Sequence, residues 1–305
     1  MRVTRTLGVA LAAGALLLGG CAADPFGDTT PSAGSADPDA PIVVASQAYY
    51  SNDIIAEIYA QALEAGGVAV ERRPQIGQRD LYLAAMEKGE VQLMPEYTGN
   101  LLQFYDAETT ARSSEDVAAA LPDALPEGLG ILAVAEAQDA DSYAVSTAFS
   151  EENGITSLAD LANYSGPITV GGNAELEGRP YGPAGLESFY GVTVAFATIG
   201  DSGGPLTKDA IRSGEITMGD IYSSDPDLAG GDFVTLEDPE NMILAQNVVP
   251  IVSSAVAKRV QPILDPVSAK LTTEELIGLN ARSQGEKASP AVIATDWLAK
   301  QGLVG

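Results

Sequence analysis

The chain has 305 residues, with 16 Lys+Arg against 42 Asp+Glu, a formal net charge of −26, no histidine and one cysteine. Without histidine there is no Ser-His-Asp triad, no imidazole base and no histidine-ligated metal, and one cysteine excludes a disulfide framework, a redox pair or a thiolate zinc cage. The acidic excess argues against nucleic acid as a partner, because that binding rests on Lys and Arg neutralising phosphates.

In chain order, Arg2 and Arg5 precede an apolar run from Leu7 to Leu18. The run has the length of a signal-peptide core and is too short to span a bilayer comfortably. It ends in Leu18-Gly19-Gly20-Cys21, and small residues before a cysteine resemble the lipobox of bacterial lipoproteins. That resemblance implies removal of residues 1–20 and a lipid on the sulfur and amine of Cys21, which makes the lone cysteine an anchor rather than a nucleophile. Residues 21–41, rich in Ala, Asp, Pro, Ser, Gly and Thr, have the composition of a flexible linker. The expectation is a body tethered to the extracytoplasmic face of the cell membrane.

The body opens with a buried-type strand at Ile42–Ala45. Ser51-Asn52-Asp53 reads as a helix N-cap, followed by Ile54/Ile58/Ala62 and Ile55/Tyr59/Leu63 at i, i+4 spacing and a stop at Gly66-Gly67. Val68–Glu71 is predicted as a strand, Arg79–Lys88 as a helix and Val91–Met94 as a strand. The same alternation resumes with strands at Ile168–Gly171 and Val192–Ala197, and helices at Pro183–Tyr190 and Lys208–Ser213. Strand-helix alternation predicts α/β architecture with parallel sheets covered by helices. Helices at Leu271–Leu279 and Pro290–Leu298, the latter capped by Ser289, form the tail, with Trp297 as a packing residue.

One local pattern occurs twice. A helix stops at Gly89 and at Gly214, a short strand and an acidic residue follow, and a tyrosine falls eight positions beyond the glycine, at Tyr97 and at Tyr222. Each tyrosine emerges near the carboxyl end of its strand, where open α/β sheets bind ligands. On spacing alone the two rings read equally well as cleft walls and as half-buried core residues. Gly200-Asp201-Ser202-Gly203-Gly204-Pro205 has the look of a serine nucleophile's surroundings, but with no histidine as base it reads as the turn before a helix.

The stretches Ile42–Ser46, Ile54–Glu64 and Gly89-Glu90 through Pro95-Glu96-Tyr97-Thr98-Gly99 resemble the glycine betaine/choline/carnitine-type osmoprotectant substrate-binding proteins of ABC importers. Leu158–Leu161, Gly185-Leu186, Tyr190-Gly191 and Leu271–Glu275 continue the resemblance. It implies a two-lobe periplasmic-binding-protein-like (type II) α/β fold with two hinge crossovers, near Glu136–Val145 and Asn247–Ser253. One lobe would comprise residues 42–142 and 249–305, the other residues 143–248. In that family a tyrosine cage holds a quaternary ammonium by cation–π attraction, which suits a fixed charge with no N–H donors. By resemblance Tyr97, Tyr143 and Tyr222 take cage positions, and Arg179, in Glu177-Gly178-Arg179-Pro180, takes that of the carboxylate-binding arginine.

The chain also departs from the pattern. Gln47 stands where the family has lysine, Asn52 ends a Tyr-Ser-Asn in place of Thr-Glu-Gln, Asn100 replaces threonine, and Gln246 occupies an expected cage tyrosine. All four are candidate ligand contacts, and Tyr49-Tyr50 supplies two further rings. The resulting expectation is a monomeric, lipid-anchored receptor without catalysis, cofactor or metal, handing a glycine betaine-like solute to the transmembrane subunits of an ABC permease. A neutral polyol or aromatic solute is the alternative within that class. Outside it stand a cell-surface interaction protein and a carboxylate-dependent hydrolase.

Overall fold

The structure, a computed structural model, describes residues 40–304. The expected signal peptide, Cys21 and the linker up to residue 39 lie outside the described residues. Among the described residues no helix is long and apolar enough to cross a membrane.

The chain forms two five-stranded sheets. In the first lobe β1 (Ile42–Ala45), an apolar strand buried along its whole length, lies between β2 (Val70–Arg73) and β3 (Leu93–Tyr97), both parallel to it. Helix α1 (Tyr50–Ala65) joins β1 to β2, and α2 (Arg79–Glu87) joins β2 to β3. After β3 come α3 (Thr98–Tyr105), α4 (Ser114–Ala124) and β4 (Leu129–Ile131). The second lobe repeats this grammar. It has β5 (Tyr143–Ser146), α5 (Thr147–Asn153), β6 (Thr169–Gly172), α6 (Pro183–Tyr190), β7 (Ala195–Thr198), α7 (Pro205–Ser213), β8 (Met218–Asp220) and β9 (Phe233–Thr235). The chain then returns through β10 (Val248–Ser253) and ends in α8 (Ser254–Ser268), α9 (Thr273–Gln284) and α10 (Pro290–Gln301).

The sheet orders are β2-β1-β3-β10-β4 and β7-β6-β8-β5-β9. Three strands of each are parallel as predicted, but the sheets are mixed. The strand that enters each lobe from the other, β10 in the first and β5 in the second, runs antiparallel to its neighbours. The crossovers pair with each other where they pass between lobes, through a bridge between Gln138 and Asn247 and through Ala135 N→Val248 O (2.9 Å) and Asp139 N→Gln246 O (3.2 Å).

Predicted β2 and β3 begin two residues too early. After α1 and α2 the chain spends those residues on a Schellman close: Val68 N donates to Leu63 O (2.9 Å) and Glu90 N to Ala85 O (2.9 Å), around Gly67 and Gly89 at φ +80° and +76°. Ser51-Asn52-Asp53 does not cap α1. The helix starts earlier, at Tyr50, and these polar side chains turn inward from its first turn. By contrast, Ser289 caps α10 as expected, accepting from Val292 N. Trp297 packs in the first lobe's core with its Nε1 donating to Glu275 (2.9 Å).

Candidate functional site

A cavity of about 60 Å³ lies between the lobes, walled by the ends of parallel strands from both. The first lobe contributes Gln47 and Tyr49 from the β1–α1 loop, Gln78 and Arg79 from the start of α2, Tyr97 from the end of β3 and Asn100 from α3. The first crossover adds Asp139 and Asp141. The second lobe adds Asn173, Glu175, Leu176, Arg179 and Tyr181 from the segment after β6, then Asp220 and Tyr222 at the end of β8.

The Pro-Glu-Tyr-Thr-Gly segment shapes the first wall residue by residue. Pro95 sits where β1 has ended, and its carbonyl accepts from Asn52 Nδ2 (3.2 Å). Glu96, fully buried, accepts from Arg79 Nε (2.8 Å) and Nη2 (3.1 Å) and from the Tyr82 hydroxyl. Tyr97 turns its ring to the cavity. Thr98 Oγ1 donates to Ala245 O (3.0 Å) and accepts from Asn247 N (3.1 Å), tying the wall to the second crossover. Gly99 is required by space: a Cβ there would stand 2.7 Å from both Ala245 O and Leu244 Cβ.

The rings cluster across the cleft. Tyr49 lies 6.3 Å from Tyr97 and 5.3 Å from Tyr222, centroid to centroid, and so joins the two lobes. Beside them the cavity is acidic. Asp139 accepts from Ser51 Oγ (2.9 Å), Tyr97 OH (3.3 Å) and Ser224 Oγ (2.5 Å); burial pushes its carboxyl up to about 6, partly offset by those hydrogen bonds. Asp141 accepts from Asn100 Nδ2 (2.8 Å) and Tyr181 OH (2.9 Å). Burial, then the charge of Asp141, holds the Asp220 carboxyl well above the usual carboxylate range. Arg79 is already matched by Glu96, which leaves Arg179 as the cavity-lining cation that pairs with no carboxylate among the described residues. The amide Nε2 of Gln47 is buried without a protein partner among the described residues.

Of the expected contacts, Gln47, Tyr97, Asn100, Arg179 and Tyr222 line the cavity. Three do not. Asn52 is fully buried behind the wall, its Oδ1 accepting from Gln47 N (2.8 Å) and its Nδ2 reaching Tyr97 OH (3.3 Å), so it holds the ring rather than a ligand. Tyr143 packs in the second lobe's core and donates its hydroxyl to Tyr181 O (2.7 Å), with Tyr181 taking the place in the cleft. Gln246 is spent on Asn100, accepting from its N (2.8 Å) and donating to its Oδ1 (2.8 Å). The residues that sequence reasoning missed are chiefly Arg79, Asp139, Asp141, Tyr181 and Asp220. A signal for Asp220 was present: it is the acid of the second strand-acid-tyrosine pattern. Of the extra pair, Tyr49 joins the cluster, whereas the Tyr50 hydroxyl accepts from Gln284 Nε2 (2.6 Å) and donates to Asp225 (3.3 Å) at the lobe interface. There the buried Lys208 ammonium contacts Asp225 (2.7 Å) and Asp227 (2.8 Å).

Residues 40–300 match the family described as the substrate binding domain of ABC-type glycine betaine transport system. The chain is 27% identical over 278 residues to the glycine betaine-binding protein YehZ of Escherichia coli (strain K12), covering 86% of this chain and 91% of that protein. It is 24% identical over 276 residues, 86% of this chain and 48% of the other, to an ergothioneine transport permease/ergothioneine binding protein of Helicobacter pylori (strain G27). The apo structure of YehZ superposes with a TM-score of 0.64 at 26% identity over 87% of this chain and 100% of that one. A glycine betaine/carnitine/choline ABC transporter structure gives 0.70 at 16% identity over 86% and 99%, a likeness of fold.

Proposed function

Because the chain belongs to the family of substrate-binding domains of ABC-type glycine betaine transport systems, we propose that it captures a small betaine, glycine betaine being the reference ligand, between its two lobes. The observation that carries this reading is the cluster of Tyr49, Tyr97 and Tyr222, drawn from both lobes and set in a cavity with uncompensated carboxylates. A quaternary ammonium keeps its charge at every pH and offers no N–H group, so aromatic faces and carboxylates at van der Waals distance are what attract it. At the other end Arg179 and the unpartnered Gln47 amide supply donors for a carboxylate.

Capture needs no covalent step. The lobes, residues 42–142 with 249–305 and residues 143–248, close about the crossovers, and Tyr49 meets Tyr222 only when they are together. The closed receptor delivers its solute to the permease's transmembrane subunits as a monomer, held at the outer face of the membrane by lipid on Cys21 after loss of residues 1–20, with residues 21–41 as tether.

A second reading is favoured by one observation. Asp141, Asp220 and Glu175 offer more hydrogen-bond acceptance than a trimethylammonium uses, which suits a cationic ligand that also carries N–H donors; ergothioneine, which the Helicobacter pylori relative binds by name, is the candidate to test.

Calorimetric titration of the full chain with glycine betaine, choline, carnitine and ergothioneine decides the matter. Saturable binding of a quaternary ammonium, weakened in Tyr222→Ala, supports the proposal. Silence from all four, with heat from a neutral polyol or phenol, retires it and keeps the receptor.

A further inference from the structure

Two carboxyl groups stand side by side where the second lobe meets the cleft. Asp220 ends β8 and is 5% exposed. Asp141 lies at the entry to β5, two residues before Tyr143, which is the ladder partner of Asp220. The Asp141 carboxylate takes hydrogen bonds from Asn100 and Tyr181 and lines the same cavity as Asp220. Neither carboxyl pairs with a Lys or Arg among the described residues. Asp139 faces the pair from the crossover, and Glu175 lines the same cavity. The neighbouring guanidiniums, Arg79 and Arg179, lie toward Tyr181. The remaining titratable neighbours, Tyr143 from β5 and Tyr222 after β8, are phenols that burial keeps neutral.

With Asp220 buried and Asp141 half-buried in the same cavity, the two carboxylates cannot both ionise without a penalty, and one proton between them relieves it. The same cavity holds an unmatched donor, Gln47 Nε2, on a side chain more than nine-tenths buried. Carboxyls that no cation matches and an unmatched donor, lining one cavity, are the complement of a dipolar ligand. This step rests on the function proposed above.

We propose that Asp141 and Asp220 are the counter-charge to the ligand's cationic group, and that the proton they share in the free receptor passes to solvent when that group seats. The balance is simple. The free pair carries one proton and one negative charge; the bound pair carries no proton and two negative charges, opposite one fixed positive charge, and the proton is taken up by buffer. The bound receptor holds fewer protons than the free one, so affinity rises with pH until the free pair has itself lost its proton. For one proton the slope is at most about tenfold per pH unit. The raised Asp220 carboxyl, held up by burial and by Asp141, is the condition for the pair to keep its proton as neutrality is approached.

The test is calorimetric titration of glycine betaine into the full chain across about pH 5.5 to 8, repeated in buffers of different protonation enthalpy. The expected result is tighter binding at higher pH and a heat that changes with buffer, reporting proton release. Asp220→Asn is expected to bind with neither dependence, and Asp141→Asn serves the same purpose if Asp220→Asn fails to fold. Wild-type binding that is flat with pH and independent of buffer overturns the proton coupling and leaves the proposed function standing. Absence of binding by any quaternary ammonium at every pH overturns the proposed function itself, and this step with it. An Asp220→Asn variant that keeps the wild-type slope assigns the proton elsewhere and overturns the pair.

Discussion

The two lobes present the same short pattern to the cleft and treat it differently. In the first, the acid before the tyrosine is Glu96, matched by Arg79 and Tyr82 and fully enclosed. In the second, the acid is Asp220, beside a second carboxyl and matched by no cation. One wall is therefore electrostatically complete in itself, and among the described residues the other is left without a counter-charge. Repetition of backbone grammar thus says where a site lies, while the partners of each acid say what the site lacks.

The largest effect is expected from breaking the complete wall. Glu96→Ala leaves the Arg79 guanidinium buried without its counter-ion, at a cost of about 3–5 kcal/mol, read as a lowered urea midpoint. Next comes a pH effect at Asp139. Its carboxyl is ionised above about pH 4 in the unfolded chain and above about 6 in the folded one. The native state therefore holds a proton that the unfolded state has released, and this group's contribution to stability is lost as pH rises through that window. Between pH 4 and 7 the stability of Asp139→Asn relative to wild type should grow by about 2–3 kcal/mol, measured by denaturant titration at each pH. A relative stability that stays level would remove burial as the dominant influence on that group.

Gly99→Ala sharpens the comparison from the backbone side. The added methyl meets the carbonyl of Ala245 and the side chain of Leu244, an overpacking cost of about 1–3 kcal/mol, visible as a lowered melting temperature. The smallest effect falls on the rings. Tyr222→Ala removes one cation–π contact, about 0.5–2 kcal/mol, which corresponds to about two- to thirtyfold weaker betaine binding by calorimetry.

The fold was readable wherever local chemistry decides it. Gly66-Gly67 and Gly89 mark helix ends, and the doubled glycine-to-tyrosine interval marks two corresponding strand ends. The mixed character of the sheets was not readable, because β5 and β10 take their direction from crossovers rather than from their own residues. In the site, spacing left Tyr97 and Tyr222 open between cleft and core, the resemblance placed them in the cleft, and both line the cavity. Tyr143 and Tyr181 could not be told apart, since one opens β5, the other stands just before α6, and only packing decides that the first supports the second. Asn52 and Gln246 failed for the same reason. Each is polar at a cleft position, but its hydrogen-bonding capacity is taken up by Gln47, Tyr97 or Asn100. Arg79 gave no sequence signal, because its role depends on Glu96, 17 positions away.

The cluster around Lys208 has a consequence for how the jaws move. Its counter-ions, Asp225 and Asp227, belong to the same lobe as the lysine, and what meets them from the other lobe is neutral: Gln284 Oε1 accepts from Lys208 Nζ (3.4 Å), and the Tyr50 hydroxyl donates to Asp225 (3.3 Å). Parting the lobes at this point breaks no ion pair, but it forfeits hydrogen bonds to an ammonium and a carboxylate, each worth about 1.5–3 kcal/mol before water replaces them. The far rim of the clamp is thus fastened by contacts between a charged cluster of one lobe and neutral groups of the other, a catch that water can take over without leaving an ion unpaired.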